Sequence, residues 1–380
     1  MWNLFKKRSS ESDWTKAAEQ KTDSSAFHRL QVKEVRRETE DCVSVLLDVP
    51  EERQADFHFI QGQYLTFKKT ISGEEVRRSY SLCSSPLDGE LRVAIKEVEG
   101  GRFSTFANRE LQTGDDLESM TPRGSFHVPL GTAACSQYVA FASGSGITPV
   151  MSILRTTLKQ EPDSHFHLFY GNRNSQSVIF KEMLDDLKNE FMGRLEVHHI
   201  LSREDQGSDL LKGRLDAEKC MAFGKTFFDP ASIRAYFLCG PGEMIEKIQG
   251  ALTDMGVAKE RIHFELFSAP MVKKPAAEKK EKQHDKKLKA QVTVILDSDE
   301  THFEMSGNRK TVLDAALDAG ADVPFACKGA VCCTCRAKVL EGTADMEMNY
   351  ALEDEEVEEG YVLTCQALPT SEKVVISYDE

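Results

Sequence analysis

No apolar run in this sequence approaches the roughly 20 residues that a membrane-spanning helix requires, so no transmembrane segment is expected. The start, MWNLFKKRSSESDW, lacks both the apolar stretch and the small-residue cleavage site of a secretory signal, so a cytoplasmic protein with a loose polar tail (residues 1–26) is expected. Basic residues are also scarce. Lys and Arg number 48 against 62 Asp and Glu, a formal net charge of -14. That balance argues against a nucleic-acid binder, which needs clustered cations to meet phosphates, and suits a basic protein partner instead. A disulfide framework is missing as well. Of ten cysteines, Cys42, Cys83, Cys135, Cys220 and Cys239 stand alone, and the other five fall in one C-terminal region. Isolated thiols are by default buried packing residues, whereas a cluster calls for a ligand.

What is present describes a multidomain globular chain. With 380 residues, 40% hydrophobic and 29% charged, it exceeds one ordinary core and suggests two or three domains. Residues 27–130 carry short β-rich runs (VSVLLDV, QYLTF, LRVAIKEV) broken by Gly, Pro and Asp, which predicts an antiparallel β-barrel. Residues 131–271 alternate near-continuous apolar strands (YVAFAS, HFHLFYG, LEVHHILS, AYFLCG) with amphipathic helical segments. This pattern predicts an α/β domain whose parallel sheet is covered on both faces. Residues 272–289, VKKPAAEKKEKQHDKKLK, cannot bury enough apolar surface to fold and read as a linker, spanning roughly 20 to 25 Å as a coil. A small third domain, residues 290–380, opens with QVTVILD and has a predicted helix TVLDAALDAG before the cysteine cluster.

Within ACKGAVCCTC, Cys327, Cys332 and Cys335 form a C-x4-C-x2-C pattern, and Cys365 follows after 29 residues. This is the spacing of a plant-type 2Fe-2S site, in which a tight loop supplies three thiolates and a distant segment the fourth. Gly329 and the small Ala330 let amides turn toward the sulfurs. A structural zinc knuckle is the alternative, because C-x2-C is also a zinc half-site. The four-residue gap and the single distant cysteine weigh against it. Cys333 sits inside the two-residue gap, where a further ligand has no room, and is expected to be a bystander.

Two Gly-rich turns mark a nucleotide site. FASGSGITP follows a strand and opens a helix, placing Gly144 and Gly146 where a phosphate needs close backbone approach. Pro149 replaces the third glycine of the usual dinucleotide fingerprint. LCGPGEM ends another strand with Cys239, Gly240 and Pro241 at its carboxyl edge. In the first domain RRSYS offers Arg78, Tyr80 and Ser81, and GGRFSTF offers Gly101 and Ser104. Arginine suits a pyrophosphate, a tyrosine face suits a flavin ring, and a serine hydroxyl can bond a ring nitrogen. Each motif is weak alone; their order carries weight.

The succession FIQGQYLTF, RSYSL, GGRFS, GSGITP, LCGPGEM, HFELF and C-x4-C-x2-C resembles the ferredoxin-NADP reductase superfamily, in the form with a C-terminal plant-type ferredoxin domain. The resemblance covers residues 27 to 380. It implies a β-grasp fold for the third domain, with Cys327, Cys332, Cys335 and Cys365 holding the 2Fe-2S cluster. It also implies FAD bound by Arg78 and by Gly101 and Ser104 at the pyrophosphate, Tyr80 against the flavin, Ser81 at its N5, and Phe267 covering it with Glu265 beside. Thr148 would line the nicotinamide pocket and Cys239 would sit near the reacting nicotinamide carbon. Relatives use Ser and Arg on the NADP 2'-phosphate, which points to Ser202 and Arg203, with Arg173 nearby. No acid ends the preceding strand as an NAD site often requires, so NADPH is favoured, with NADH open. NYALEDEEVEEGYVLTCQ and the ending KVVISYD resemble the branch that serves phenylacetyl-CoA epoxidases of aerobic phenylacetate degradation. The expected function is therefore electron transfer from NADPH through FAD and the cluster to a separate di-iron oxygenase. An aromatic-ring or steroid hydroxylase is the alternative acceptor, and a metal-binding or redox-sensing module the alternative class. No catalytic triad is needed, since the cofactors carry the chemistry. The acidic run at residues 353–360 would offer a docking surface or simply form a solvated helix face.

Overall fold

A computed structural model describes residues 26–131, 135–267, 288–306 and 310–380. The polar tail, apart from its last residue, and nearly all of the Lys-rich linker lie outside the described residues.

The first sheet is formed by β1 (His28–Thr39), β2 (Cys42–Asp48), β3 (Tyr64–Ile71), β4 (Glu74–Ser81), β5 (Leu91–Lys96) and β6 (Asp116–Ser119). Its order is β4-β3-β6-β1-β2-β5, with every pairing antiparallel. Leu82, just past β4, bridges Val93 of β5 and so brings the two edges together as a barrel. Alternation does the sorting: Leu30 and Val32 of β1 point inward, Arg29 and Gln31 outward. Helix α1 (Arg102–Arg109) buries Phe103 against Phe67 of β3, with ring centroids 5.9 Å apart.

The second sheet is parallel throughout, with β7 (Gln137–Ser143), β8 (His165–Asn172), β9 (Leu195–Leu201), β10 (Ile233–Gly240) and β11 (Ile262–Leu266) in the order β11-β10-β7-β8-β9. Helices α2 (Ile147–Gln160) and α3 (Lys181–Glu190) cover one face. Helices α4 (Ala217–Thr226) and α5 (Gly242–Asp254) cover the other. Chain progression reverses between β7 and β10, and in such sheets ligands bind in the crevice at the carboxyl ends of the strands beside the reversal. Helix α2 also packs on the barrel: Ser152 Oγ donates to the Ser84 carbonyl at 2.6 Å, and Ser85 and Thr156 share a hydroxyl bond of 2.9 Å.

The third sheet mixes directions. It contains β12 (Lys289–Leu296), β13 (Asp299–Ser306), β14 (Arg336–Glu341), β16 (Tyr361–Leu363) and β18 (Lys373–Ser377), ordered β13-β12-β18-β14-β16, with β12 and β18 parallel. A two-stranded ribbon pairs β15 (Ala344–Met346) with β17 (Ala367–Pro369). Helix α6 (Val312–Asp318) lays Val312, Leu313 and Ala316 on the sheet, and the short α7 (Asp354–Glu358) carries the acidic run. The expected architecture of antiparallel barrel, parallel α/β sheet and ferredoxin-type mixed sheet is what the chain adopts.

Candidate electron-transfer site

Cys327, Cys332 and Cys335 lie on the loop between α6 and β14, and Cys365 follows two residues after β16. The sulfurs fall into two pairs. Cys332 Sγ lies 3.2 Å from Cys327 Sγ, and Cys335 faces Cys365. Lys328 and Ala330 adopt left-handed backbone with φ of 52° and 62°, a cost for residues with a side chain. That winding directs the Gly329 amide onto Cys327 Sγ at 3.3 Å. The thiol donated by Cys332, helped by the amides of Gly329, Val331 and Cys332, holds Cys327 down at about 6 despite burial. Cys365 is lowered in the same way, first by Cys335 and then by the Ala330 amide. Cys332 and Cys335, the donors in these two pairs, are pushed well above the usual thiol range, so each pair holds one thiol poised as thiolate, the form that ligates iron. Cys333 Sγ instead donates to the Ala351 carbonyl at 3.2 Å.

On the barrel, β4 carries Arg78, Tyr80 and Ser81, the residues expected at the flavin. Tyr80 is half-buried, its ring 5.5 Å from Phe103. Arg78 is exposed and donates to the Arg77 carbonyl at 2.7 Å. Gly101 precedes α1, and a side chain there would collide with Ser104 Oγ at 2.4 Å and with Val98. The Ser104 hydroxyl is committed to this turn, accepting from Val98 N at 3.3 Å and donating to the Gly101 carbonyl at 3.1 Å. No side chain caps the α1 N-terminus, so backbone amides there can meet an anion. Phe267 is 44% exposed at the end of the β11 segment.

Between barrel and parallel sheet, Ser81 Oγ donates to Glu265 Oε2 at 2.8 Å. Glu265 is the register partner of Cys239 across β10 and β11. Burial pushes the Glu265 carboxyl up to about 7, with the Ser81 bond partly offsetting it. Burial, and then the Glu265 charge, also push the Cys239 thiol well above its usual range. Ser81 and Cys239 are buried and Glu265 half-buried, so three groups from two sheets meet where the barrel and the parallel sheet join.

A cleft of about 510 Å³ opens at the carboxyl ends of the parallel strands. It collects Gly144, Arg173, Ser202, Arg203 and Pro241, and adds Arg214 and Lys247. Amides of Ser202 and Arg203 pair with carbonyls of Asn172 and Arg173 at 3.0 and 2.8 Å, so these two turns are held side by side. Arg173 also reaches Asp41 of the barrel at 2.9 Å. Gly146 and Thr148 are buried rather than on the cleft wall. A side chain at Gly146 would lie 2.0 Å from the Cys239 carbonyl, so this glycine lets the start of α2 close on β10. Gly240 similarly makes room for Met244 and Ser143.

The cysteine loop rests on the barrel. The Cys333 amide donates to Tyr64 Oη at 3.1 Å, and Tyr64 Oη and Thr334 Oγ1 share a bond of 3.4 Å. Tyr64, Ala326 and Cys332 form a small buried apolar cluster with Cys327 against it. From β4, Arg77 donates to Asp322 Oδ1 at 2.6 Å and to the Val323 carbonyl at 3.3 Å, with its guanidinium 4.4 Å from the Phe325 ring centroid. Tyr64 is the register partner of Ser81, so the cysteine loop and the Ser81–Glu265 pair flank the same strand pairing.

Family models match three segments: an oxidoreductase FAD-binding domain at residues 29–128, an oxidoreductase NAD-binding domain at 141–250 and a 2Fe-2S iron-sulfur cluster binding domain at 294–370. The chain is 42% identical over 353 residues to a subunit of the 1,2-phenylacetyl-CoA epoxidase of Escherichia coli strain K12, covering 93% of this chain and 98% of that relative. It is 33% identical to the ferredoxin reductase component of the 3-ketosteroid-9-alpha-monooxygenase of Rhodococcus rhodochrous, covering 92% and 96% respectively. The chain belongs to the ferredoxin-NADP reductase superfamily, with a C-terminal 2Fe-2S ferredoxin domain. It is a reductase component of an oxygenase, carrying electrons from NAD(P)H through FAD and a 2Fe-2S cluster. Phthalate dioxygenase reductase, described as a modular structure for electron transfer from pyridine nucleotides to [2FE-2S], shares the fold: TM-score 0.55, 23% identity, 92% of this chain and 98% of that one. Among the described residues of the reductase, no helix is long and apolar enough to cross a membrane.

Several residues of this reductase escaped sequence reasoning. Glu265 stood out only as a neighbour of Phe267; its signal was an acid inside an apolar strand ending, HFELF. Tyr64, Arg77, Arg214 and Lys247 gave no local signal, because their roles arise only from contacts between distant segments. Helix α4 was also missed. Its Asp216 N-cap, which accepts from the Lys219 amide at 3.0 Å, was the readable sign.

Proposed function

We propose that the chain takes electrons from NADPH and delivers them to a di-iron phenylacetyl-CoA epoxidase in the cytoplasm. Near-full-length similarity to a component of such an epoxidase supports that acceptor. The similarity to a ketosteroid monooxygenase component supports a second reading, a steroid hydroxylase acceptor. Bound FAD supplies the exchange between a two-electron hydride and single electrons, and the cluster accepts single electrons. The protein positions and insulates these groups. Arg78, the amides after Gly101 and the Tyr80 ring would hold the flavin; Phe267 would cover it. Glu265, about half protonated near pH 7 and bonded to Ser81 Oγ, would take up the proton that a reduced flavin releases as its electrons leave singly. Cys239 is kept as an uncharged thiol, a small apolar wall for the nicotinamide. Arg173, Ser202 and Arg203 would take the 2'-phosphate; Gly144 and Pro241 line the same cleft. Gly146, Thr148 and Gly240 would act by shaping the backbone around it. The four cysteines would ligate the cluster, and α7 would present acids to the oxygenase.

The observation that carries the electron path is the Tyr64 position: hydrogen-bonded to the cysteine loop and paired in register with Ser81. Reconstitution with the epoxidase's oxygenase subunits and NADPH tests the acceptor. Epoxidation of phenylacetyl-CoA is expected; NADPH oxidation coupled only to steroid or aromatic hydroxylation would reject it. Arg203→Ala tests the cofactor reading: a lost charge-assisted bond of about 1.5–3 kcal/mol raises KM for NADPH roughly 10- to 100-fold. KM for NADH should hardly change.

A further inference from the structure

Away from this site, β8 and β9 place two histidines and a glutamate together. His167 and Glu196 are register partners across the two strands, and His198, two residues along, shares their face. One carboxylate oxygen, Glu196 Oε2, lies 3.5 Å from His167 Nδ1 and 3.4 Å from His198 Nε2. All three donor atoms lie within 4.8 Å of one another. Both ring nitrogens are buried, and their contacts with Glu196 Oε2 fall short of well-aligned hydrogen bonds, which leaves their bonding capacity poorly used.

We propose that His167, Glu196 and His198 bind a divalent transition-metal ion, zinc by preference, at the edge of the nucleotide-domain sheet. The donor set is two imidazoles and one carboxylate, which leaves a fourth position for water, a zinc-type complement. Two ligands each about 2.0–2.1 Å from a tetrahedral zinc stand about 3.4 Å apart, matching both distances to the carboxylate. The two imidazole nitrogens are no more than 4.8 Å apart, and binding would draw them together by at most about 1.4 Å. Surroundings favour neutral, ligating rings. His198 stacks on Phe169 with centroids 4.8 Å apart and lies 4.2 Å from Phe227, and burial lowers the proton affinity of both histidines. Such rings also hold the orientation that a ligand requires.

Location gives the ion a consequence. Strand β9 is the sheet edge, paired along its length with β8 and bridged at its end, Leu201, to Lys212. Strands β8 and β9 run on into Arg173 and into Ser202 and Arg203, the cleft residues. A metal cross-link between them would stiffen both turns without touching the nucleotide.

The test uses the FAD- and cluster-loaded protein, stripped with a chelator and titrated with zinc alone, with flavin and cluster absorbance followed to exclude displacement of iron. One zinc per chain is expected, with affinity reduced at least 10-fold in Glu196→Gln and in His198→Ala. The Glu196 side chain is 55% exposed, so Glu196→Gln keeps the fold if His198→Ala does not, and its NADPH-driven dye reduction should match the wild type. Zinc-edge anomalous scattering from soaked crystals should place the ion between the three side chains. Uptake equal in wild type and both variants, an anomalous peak elsewhere, or no uptake overturns the proposal.

Discussion

At the scale of single residues, the reductase separates groups that carry charge from groups that are kept neutral. Glu265 belongs to the second class. Its carboxyl is raised from 4.5 to about 7, so between these values the folded state binds more protons than the unfolded state and stability falls as pH rises. The penalty is absent below about 4.5 and complete above about 7. Glu265→Gln should therefore gain on the wild type at pH 8 relative to pH 4, by about 1–3 kcal/mol in denaturant unfolding. Equal differences at both pH values would mean that the carboxyl is ordinary. Flavin reduction should lose its inflection near pH 7 in the same variant, and Ser81→Ala should slow that step roughly 100-fold while retaining flavin. The cysteines divide as their contacts do. Cys333→Ala should keep the brown cluster absorption, whereas Cys332→Ala or Cys335→Ala should bleach it; bleaching by Cys333→Ala would reassign the ligands.

At the scale of elements, most of the scaffold was legible and most of the contacts between its parts were not. Period-two alternation in β1 and unbroken apolar runs in β7, β8 and β10 encode half-buried and fully buried strands, so barrel and parallel sheet could be read directly. The cysteine spacing encodes a loop that must close on itself. Helix α4 was obscured because only Cys220 and Phe223 of its ten residues are fully buried. Arg77 shows the deeper limit. In RRSYS two adjacent arginines looked alike, yet alternation sends Arg78 to the surface and Arg77 into the ferredoxin domain, where Asp322, Val323 and Phe325 receive it. Arg77→Met should slow flavin-to-cluster transfer several-fold and leave NADPH-to-flavin transfer unchanged, as followed by stopped-flow absorbance. Slowing of both steps equally would assign Arg77 to barrel stability instead.

At the scale of the whole molecule, three sheets meet around one strand pairing: the barrel supplies Ser81 and Tyr64, the parallel sheet Cys239 and Glu265, and the ferredoxin domain its cysteine loop. Val331 and Tyr350 of the ferredoxin domain also pack against the apolar core of the nucleotide domain, so the loop touches both partners. This docked arrangement favours internal transfer. Delivery to an oxygenase then calls for the ferredoxin domain to present its cluster outward, and the Lys-rich linker would set its reach. Shortening that linker should slow delivery to the oxygenase while leaving flavin reduction intact, and unchanged delivery would reject this role for the linker. Electrons pass from nicotinamide to flavin to cluster in that order. Anaerobic stopped-flow mixing of the oxidised protein with one equivalent of NADPH, sampled by freeze-quench EPR, tests it directly. Flavin bleaching should come first and the reduced-cluster signal should follow in every chain that holds both groups. A fully reduced flavin beside a cluster that stays oxidised would rule out that order.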